Sequence, residues 1–479
     1  MSTTEFVRIE KQDVITLNGQ DIPFCAVGED FPLHSADGTL AGSLFTYSYL
    51  RTDVEDTSKR PVLFAYNGGP GSSAAWIYTG FLSPKQIVMD EKFRTSTHPD
   101  SHVQDNPNCL LDICDVVIMD MPHTGNSLVL DETKIAEFFG TAQDAQAFAD
   151  VIRNWLIKYD RIESPKYLLG ESYGTIRTAS LVNALYGRPM YPGSKCYGIT
   201  VDGVILMGSL ILNKPGKTGF EESGIPAASL ELPTVAATRW YHRRPEGVTL
   251  EEFVEGAYEF ATGDYLTLLS RMNRMPEEEF RAAVEKLVYY TGVGEAVLRK
   301  YGYELPSTIF ARELLAEEGK DIGMYDTRFT MHAAPEGMMA DPVGDDPAMG
   351  LYTAPYKKAH SEIQKYYLGE DFQRDFSIID FTVNGPWDHT ATTDAFRNLQ
   401  MALRRSKDFR ILWTNGVYDL VTTIGLARYG IAHLQQEPGQ IICREYPSGH
   451  MSYVGEESQK LLTGDIRSFL LGEEMTSCF

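Results

Sequence analysis

The stretch Lys166-Tyr167-Leu168-Leu169-Gly170-Glu171-Ser172-Tyr173-Gly174-Thr175 decides how this chain is read. The apolar run Tyr167 to Leu169 leads into a serine set between two glycines, and Thr175 to Tyr186 continues with a helical composition. A Gly-x-Ser-x-Gly at a strand-to-helix junction is a turn so tight that the residues around the serine must lack side chains, and it pushes the hydroxyl out past the end of a sheet. The alternative for the pentapeptide alone is a glycine-rich turn closing a strand–helix unit. What lies around it therefore has to decide.

Further continuous apolar runs occur at Val62 to Tyr66, Val116 to Met119, Val204 to Met207 and Ile411 to Trp413, as expected for strands buried on both faces of a mostly parallel sheet. Ala145, Phe148, Ala149, Ile152, Trp155, Leu156 and Tyr159 recur at three and four residues, predicting an amphipathic crossover helix. Upstream, Asn18-Gly19 and Asp37-Gly38 are hairpin turns, and Phe45, Tyr47 and Tyr49 alternate with smaller residues, so the first sixty residues read as antiparallel sheet. The alternation breaks after Leu212. Helical patterns at Leu250 to Leu269 and Pro276 to Leu287, a Gly/Pro/Met-rich segment around Ala334 to Gly350 and an aromatic-rich stretch from Tyr352 to Tyr367 fill the space until Arg410. The expected organisation is a core of residues 1–212 and 381–479, interrupted by a largely helical cap at 213–380.

With 66 acidic and 43 basic residues the chain carries a net charge of −23. Such a surface repels phosphate backbones and anionic membranes, so neither nucleic acid nor membrane is an expected partner. The N-terminus shows no basic start followed by an apolar stretch, and no run approaches the ~20 apolar residues of a membrane span. Six cysteines, Cys25, Cys109, Cys114, Cys196, Cys443 and Cys478, form no Cys-x-x-Cys pair and read as reduced thiols. A cytoplasmic location is the expectation. No metal-ligand spacing occurs, and neither a metal nor a cofactor is called for.

A serine hydroxyl becomes a nucleophile only with a base in reach and a carboxylate to orient that base. Downstream of Ser172, Ile411 to Asp419 places an aspartate in the loop after one buried strand, and Ile441 to His450 places a histidine after the next. Serine, acid and base thus follow in the order of an α/β-hydrolase, each at a strand end. His98 and His102, flanking Pro99 in a polar loop, and His123, ahead of the elbow, compete poorly. The loop Asn67-Gly68-Gly69-Pro70-Gly71-Ser72-Ser73 lacks the Lys-Ser/Thr ending of a phosphate cradle. On such a fold it supplies one oxyanion-hole N–H, here Gly69, with the residue after the serine, Tyr173, supplying the other.

Together, Asn67-Gly-Gly-Pro-Gly-Ser-Ser, Gly170-Glu-Ser-Tyr-Gly, the Asp419 loop and Gly449-His450-Met451 resemble the serine carboxypeptidases, peptidase family S10, and Asn108 to Pro122 extends the likeness through Asp120. The resemblance covers about residues 40–212 and 381–479. It implies an α/β-hydrolase fold, Ser172, Asp419 and His450 as catalytic triad, and a peptide substrate whose terminal carboxylate is held by Asn67 and Glu171. Two positions depart from the family: Phe81 stands where eukaryotic members have a second glutamate, and Ser72 where they have a disulfide cysteine. The chain therefore resembles a cytoplasmic, microbial-type branch. The expected activity is removal of C-terminal residues through an acyl-enzyme. The rivals are an esterase or acyltransferase on the same triad, and a non-catalytic binding protein on the same frame. Trp240, Tyr241, Met338 and Met339 are candidates for the specificity pocket or, more simply, for core. Preferred residue and oligomeric state are not legible.

Overall fold

Asn18 and Gly19 take up φ values of +51° and +78°, closing a two-residue turn that pairs Leu17 with Gln20 and starts the sheet. The computed structural model describes residues 5–89, 101–187, 195–211, 227–335, 341 and 343–477. His98, Leu212, Met338, Met339 and Cys478 lie outside them. The strands in chain order are β1 (Arg8–Leu17), β2 (Gln20–His34), β3 (Leu40–Arg51), β4 (Val62–Tyr66), β5 (Lys85–Met89), β6 (Ser101–Asp105), β7 (Asp115–Met119), β8 (Lys166–Glu171), β9 (Gly203–Met207), β10 (Lys320–Ile322), β11 (Thr330–His332), β12 (Arg410–Gly416) and β13 (Ile441–Tyr446).

Nine of them form one sheet in the order β1-β2-β3-β7-β4-β8-β9-β12-β13. β1, β2, β3 and β7 pair antiparallel; from β7 to β13 every pairing is parallel. The parallel strands read as uninterrupted apolar runs because helices cover both faces, and every residue of β4, β7 and β9 is buried. Thr141–Lys158 and Tyr173–Tyr186 pack on one face around Phe64, Phe148, Trp155 and Leu168. Glu456–Leu470 and Met349–Leu368 contribute Leu462, Ile466, Ile363 and Tyr367 to the core on the other.

Between β9 and β12 the chain departs from strand–helix alternation. Helices from Ala227 to Glu313 build a separate core around Phe260, Tyr265, Leu287 and Phe310, which touches the sheet domain through Leu420. Three expectations need correction here. The helical stretch read at Leu250 to Leu269 is two helices, Leu250–Thr262 and Asp264–Arg271, broken at Gly263. The aromatic stretch from Tyr352 to Tyr367 is one helix that belongs to the main core beside β1 to β3, since Tyr367 packs on Phe24 and Tyr49, Tyr356 on Trp76, and these rings all lie in the cluster of that core. His102 sits in a strand, β6, paired with β5. Among the described residues, no helix is long and apolar enough to cross a membrane, and Cys25, Cys109, Cys114, Cys196 and Cys443 are free, Cys196 alone among them exposed.

Candidate active site

Because β4, β8, β12 and β13 run parallel, the loops that follow them open on one edge of the sheet, where open α/β sheets bind ligands. Those loops carry Asn67 to Ser73, Ser172, Asp419 and His450.

Ser172 caps the helix Tyr173–Tyr186 with φ +59° and ψ −127°, a backbone conformation that side-chain-bearing residues rarely adopt. Gly170 is sterically required, and Gly174 has little room for a side chain. A Cβ on Gly170 would lie 2.2 Å from the Gly174 carbonyl oxygen, and one on Gly174 would stand 3.2 Å from that of Asn67. The Ser172 N–H donates to the Met207 carbonyl at 2.9 Å. The next residue, Gly208, lies against the imidazole of His450: a Cβ there would be 3.3 Å from Nδ1. Elbow and imidazole are thus neighbours across a two-residue backbone segment.

His450 Nδ1 bonds Asp419 Oδ2 at 2.7 Å, with the two side chains 7% and 0% exposed. Asp419 also accepts the N–H groups of Val421 and Thr422 at 2.8 and 3.0 Å and the hydroxyl of Thr422. Burial pulls His450 down, but the charge and hydrogen bond of Asp419, with Glu171 and Asp346 beyond, carry it above its usual value. The bond at Nδ1 assigns the ring's proton to that nitrogen and leaves Nε2 as the acceptor.

The glycine loop packs directly on the elbow: a Cβ on Gly68 would lie 2.5 Å from the Tyr173 nitrogen and 2.8 Å from that of Gly174. Tyr173 opens its helix, so its N–H is one of those with no intrahelical acceptor. The Gly69 backbone, φ +105°, stands one residue from this contact. Asn67 is fixed from three sides. Its carbonyl accepts from Arg177 at 2.6 Å, its Oδ1 accepts the Ile77 N–H at 3.1 Å, and its amide donates to Glu171 Oε2. Arg177 is fully buried and paired with Asp144 at 2.7 Å. Asp120 secures the far end of the loop, accepting the N–H of Ala74 at 2.8 Å and of Asn126 at 2.9 Å.

Glu171 is 2% exposed, and burial lifts its carboxyl to about 7, against lesser opposing contributions from His450, Tyr453 and Asn67. Its two oxygens are unlike. Oε2 accepts from Asn67 and, at 3.2 Å, from the Tyr453 hydroxyl, whereas Oε1 is buried with no hydrogen-bond partner. Two donors already claim Oε2, so the proton of the neutral acid belongs on Oε1. Phe81, fully buried, stacks on Tyr453 with 5.6 Å between centroids and 6° between planes. Its ring supports the phenol that reaches Glu171. Ser72 accepts from Trp76 Nε1 at 3.0 Å.

The structure therefore brings together Asn67, the glycine loop, Glu171, Ser172, Tyr173, Asp419 and His450. His123 is elsewhere engaged, 3.1 Å from Asp380 and 3.2 Å from Glu132. Trp240 packs with the insertion helices around Phe253, and Tyr241 beside Tyr418. Sequence reading missed Arg177, Asp144, Thr422 and Tyr453; Thr422, three residues beyond Asp419, and Tyr453, three residues beyond His450, carried a positional hint. Among the described residues, no group of three His, Cys, Asp or Glu could hold a metal ion.

No family model and no curated protein sequence matches this chain. Solved structures do: a prohormone-processing carboxypeptidase, Kex1, from Saccharomyces cerevisiae is similar over 93% of this chain and 91% of its own, with 14% identity and a TM-score of 0.53. A thermostable carboxyl esterase from Bacillus coagulans aligns over 93% and 98% with 11% identity and a TM-score of 0.39. Likeness at the first level speaks for the architecture and not for the activity; the second is too loose to add to it. The chain has the α/β-hydrolase fold.

Proposed function

We propose that this chain is a serine hydrolase that removes C-terminal residues from peptides. The observation that carries a hydrolase is the 2.7 Å bond from Asp419 to His450, made beside a serine held at positive φ. With its Nδ1–H donated to Asp419, His450 takes the Ser172 proton at Nε2 as Oγ attacks the carbonyl of the last peptide bond. The tetrahedral oxyanion is taken by the Gly69 and Tyr173 N–H groups, each such donor being worth about 10²–10³ in rate. His450 then returns the proton to the departing amine. Water repeats the sequence on the acyl-serine and frees the shortened peptide.

The terminal carboxylate is assigned to Asn67 and Glu171. An acid can sit beside a substrate carboxylate only if one of the two is protonated, and Glu171 is neutral below about pH 7. The pH requirements oppose one another. His450 must be neutral, which sets an acid limb above its ordinary 6.5, and Glu171 must be protonated, which sets an alkaline limb near 7. Peptides with free C-termini should be cleaved less well as pH rises through about 7, while small esters, needing His450 alone, should hold a plateau there.

Phe81 favours a second reading. An apolar ring stands where the family places its second acid, and an esterase or acyltransferase on the same triad would not need that acid. A mass-spectrometric time course on a mixed peptide library, run with free and amidated C-termini, separates the two. Single residues leaving only the free-acid peptides support the carboxypeptidase; ester turnover without any peptide trimming overturns it. Ser172→Ala should remove essentially all turnover with the fold intact, and measurable residual hydrolysis would refute the nucleophile.

A further inference from the structure

The insertion reaches back to the Asp419 and His450 loops through the helix Ala227–Arg243, whose Tyr241 packs on Tyr418, and through the turn between β10 and β11. β12 and β13 stop pairing at Gly416 and Tyr446, so the loops carrying Asp419 and His450 extend beyond the sheet's hydrogen-bond ladder. They bond to each other through the Val417 N–H to the Tyr446 carbonyl at 2.9 Å, the Tyr418 N–H to the Ser448 carbonyl at 3.0 Å and the Asp419–His450 pair itself. Across both lies the turn between β10 and β11, residues 323–329.

Its contacts fall on the immediate neighbours of the acid and the base. The Met324 carbonyl accepts the N–H of Leu420 at 3.0 Å, and the Thr327 N–H donates to the Tyr418 carbonyl at 3.0 Å, so Asp419 is bracketed on both sides. The Tyr325 carbonyl accepts the N–H of His450 itself at 2.7 Å, while the Tyr325 ring meets the imidazole edge-on with 5.3 Å between centroids. Arg328 donates to the Pro447 carbonyl at 2.7 Å and forks onto both Asp326 oxygens at 2.9 and 2.6 Å, with the pair 8% and 3% exposed. The fit leaves no slack: a Cβ on Gly449 would lie 2.4 Å from Asp326 Cβ and 2.5 Å from the Tyr325 carbonyl oxygen. Met324 N–H, bonded to Asp346 Oδ2 at 2.6 Å, ties the turn to the rest of the chain.

We propose that residues 323–329 clamp the Asp419 and His450 loops in register and that Arg328, anchoring the clamp to Pro447, is a positioning residue for the triad. The inference rests on the serine-hydrolase reading above. Misplacing a reacting group by about 1 Å can cost on the order of 10² in rate, so two loops held partly by an insertion are a point of control over turnover and not over binding. The groups facing His450 are Asp419, Glu171, Asp346 and Tyr325; Arg328 touches it only through the backbone of its loop.

Arg328→Met in the full chain tests this, with a fluorophosphonate counting competent serines and a small chromogenic ester giving steady-state kinetics. The expected result is kcat per labelled site lowered about tenfold or more with KM within about twofold. Because Asp419 holds His450 above its usual value, loosening their bond should also move the acid limb of kcat/KM to lower pH. Arg328→Lys, keeping the cation and a donor for Pro447, should recover most of both. A residue that only stabilises the fold would change the labelled fraction alone; unchanged kcat per site and an unmoved acid limb overturn the clamp. If Arg328→Met yields no folded protein, Asp326→Asn weakens the fork at constant shape and is judged by the same two readouts. Wild-type protein that fails to label at Ser172 sinks the hydrolase reading instead, which keeps the two failures apart.

Discussion

Two carboxyls sit in this site, and their surroundings are opposite. Asp419 is fully buried yet encircled, with two backbone N–H groups, the Thr422 hydroxyl and His450 all directed at it. Glu171 is equally buried, but both of its donors converge on one oxygen, and the other has none. Burial alone penalises the charged form; the number and direction of donors decide what a buried acid can then do. The encircled one is suited to orient and balance an imidazolium. The half-satisfied one is suited to carry a proton at about neutral pH.

The largest expected effect comes from removing the orienting charge. Asp419→Asn should lower kcat on an ester by roughly 10³–10⁴, because the amide favours the wrong tautomer of His450; a loss below tenfold would mean that Asp419 does not orient the base.

Glu171→Gln removes the titration while keeping the shape. The alkaline limb near pH 7 for free-acid peptides should disappear, and ester kinetics should not respond; a variant with the wild-type pH profile would break the assignment of Glu171. Stability gives an independent measure. Glu171 binds its proton more tightly folded than unfolded, since its carboxyl is raised from 4.5 to about 7. Its favourable share is therefore complete below about pH 4.5 and lost as pH climbs through 7. The glutamine variant should match the wild type at pH 5 and exceed it by about 1–3 kcal/mol at pH 8 in denaturant unfolding.

Thr422→Val withdraws one of the four donors around Asp419 and leaves a buried acceptor short of a partner. A loss of about 1–2 kcal/mol, or roughly tenfold in kcat, is expected with KM unchanged. The smallest effect belongs to Tyr453→Phe, which takes one of two donors from Glu171 Oε2. KM for free-acid peptides should rise about two- to fivefold with ester kinetics constant; an equal loss on both substrates would place Tyr453 with the triad and not with Glu171.

The parts legible in the chain share a local cause. Gly170, Gly174 and Gly68 are glycines because backbone passes within 3.2 Å of where a Cβ would be, and the parallel strands are apolar because both faces are covered. Apart from Thr422, three residues beyond Asp419, the missed residues lie far away in sequence from what they serve. Arg177 acts on Asn67 across 110 positions and Tyr453 on Glu171 across 282, with no pattern between them to read. The helix Met349–Leu368 was misplaced for the same reason: an aromatic-rich stretch does not say which core its rings enter.

By itself, then, the sequence determined the elbow, the order in which Ser172, Asp419 and His450 follow, and the strand ends on which they stand, because close approach and two-sided burial leave marks within a few residues. Only the tertiary structure decided how many donors each carboxyl receives, which Glu171 oxygen is left without one and that the turn at 323–329 spans the Asp419 and His450 loops. Those properties depend on dielectric and contact, and both are set by chain segments that meet only after folding.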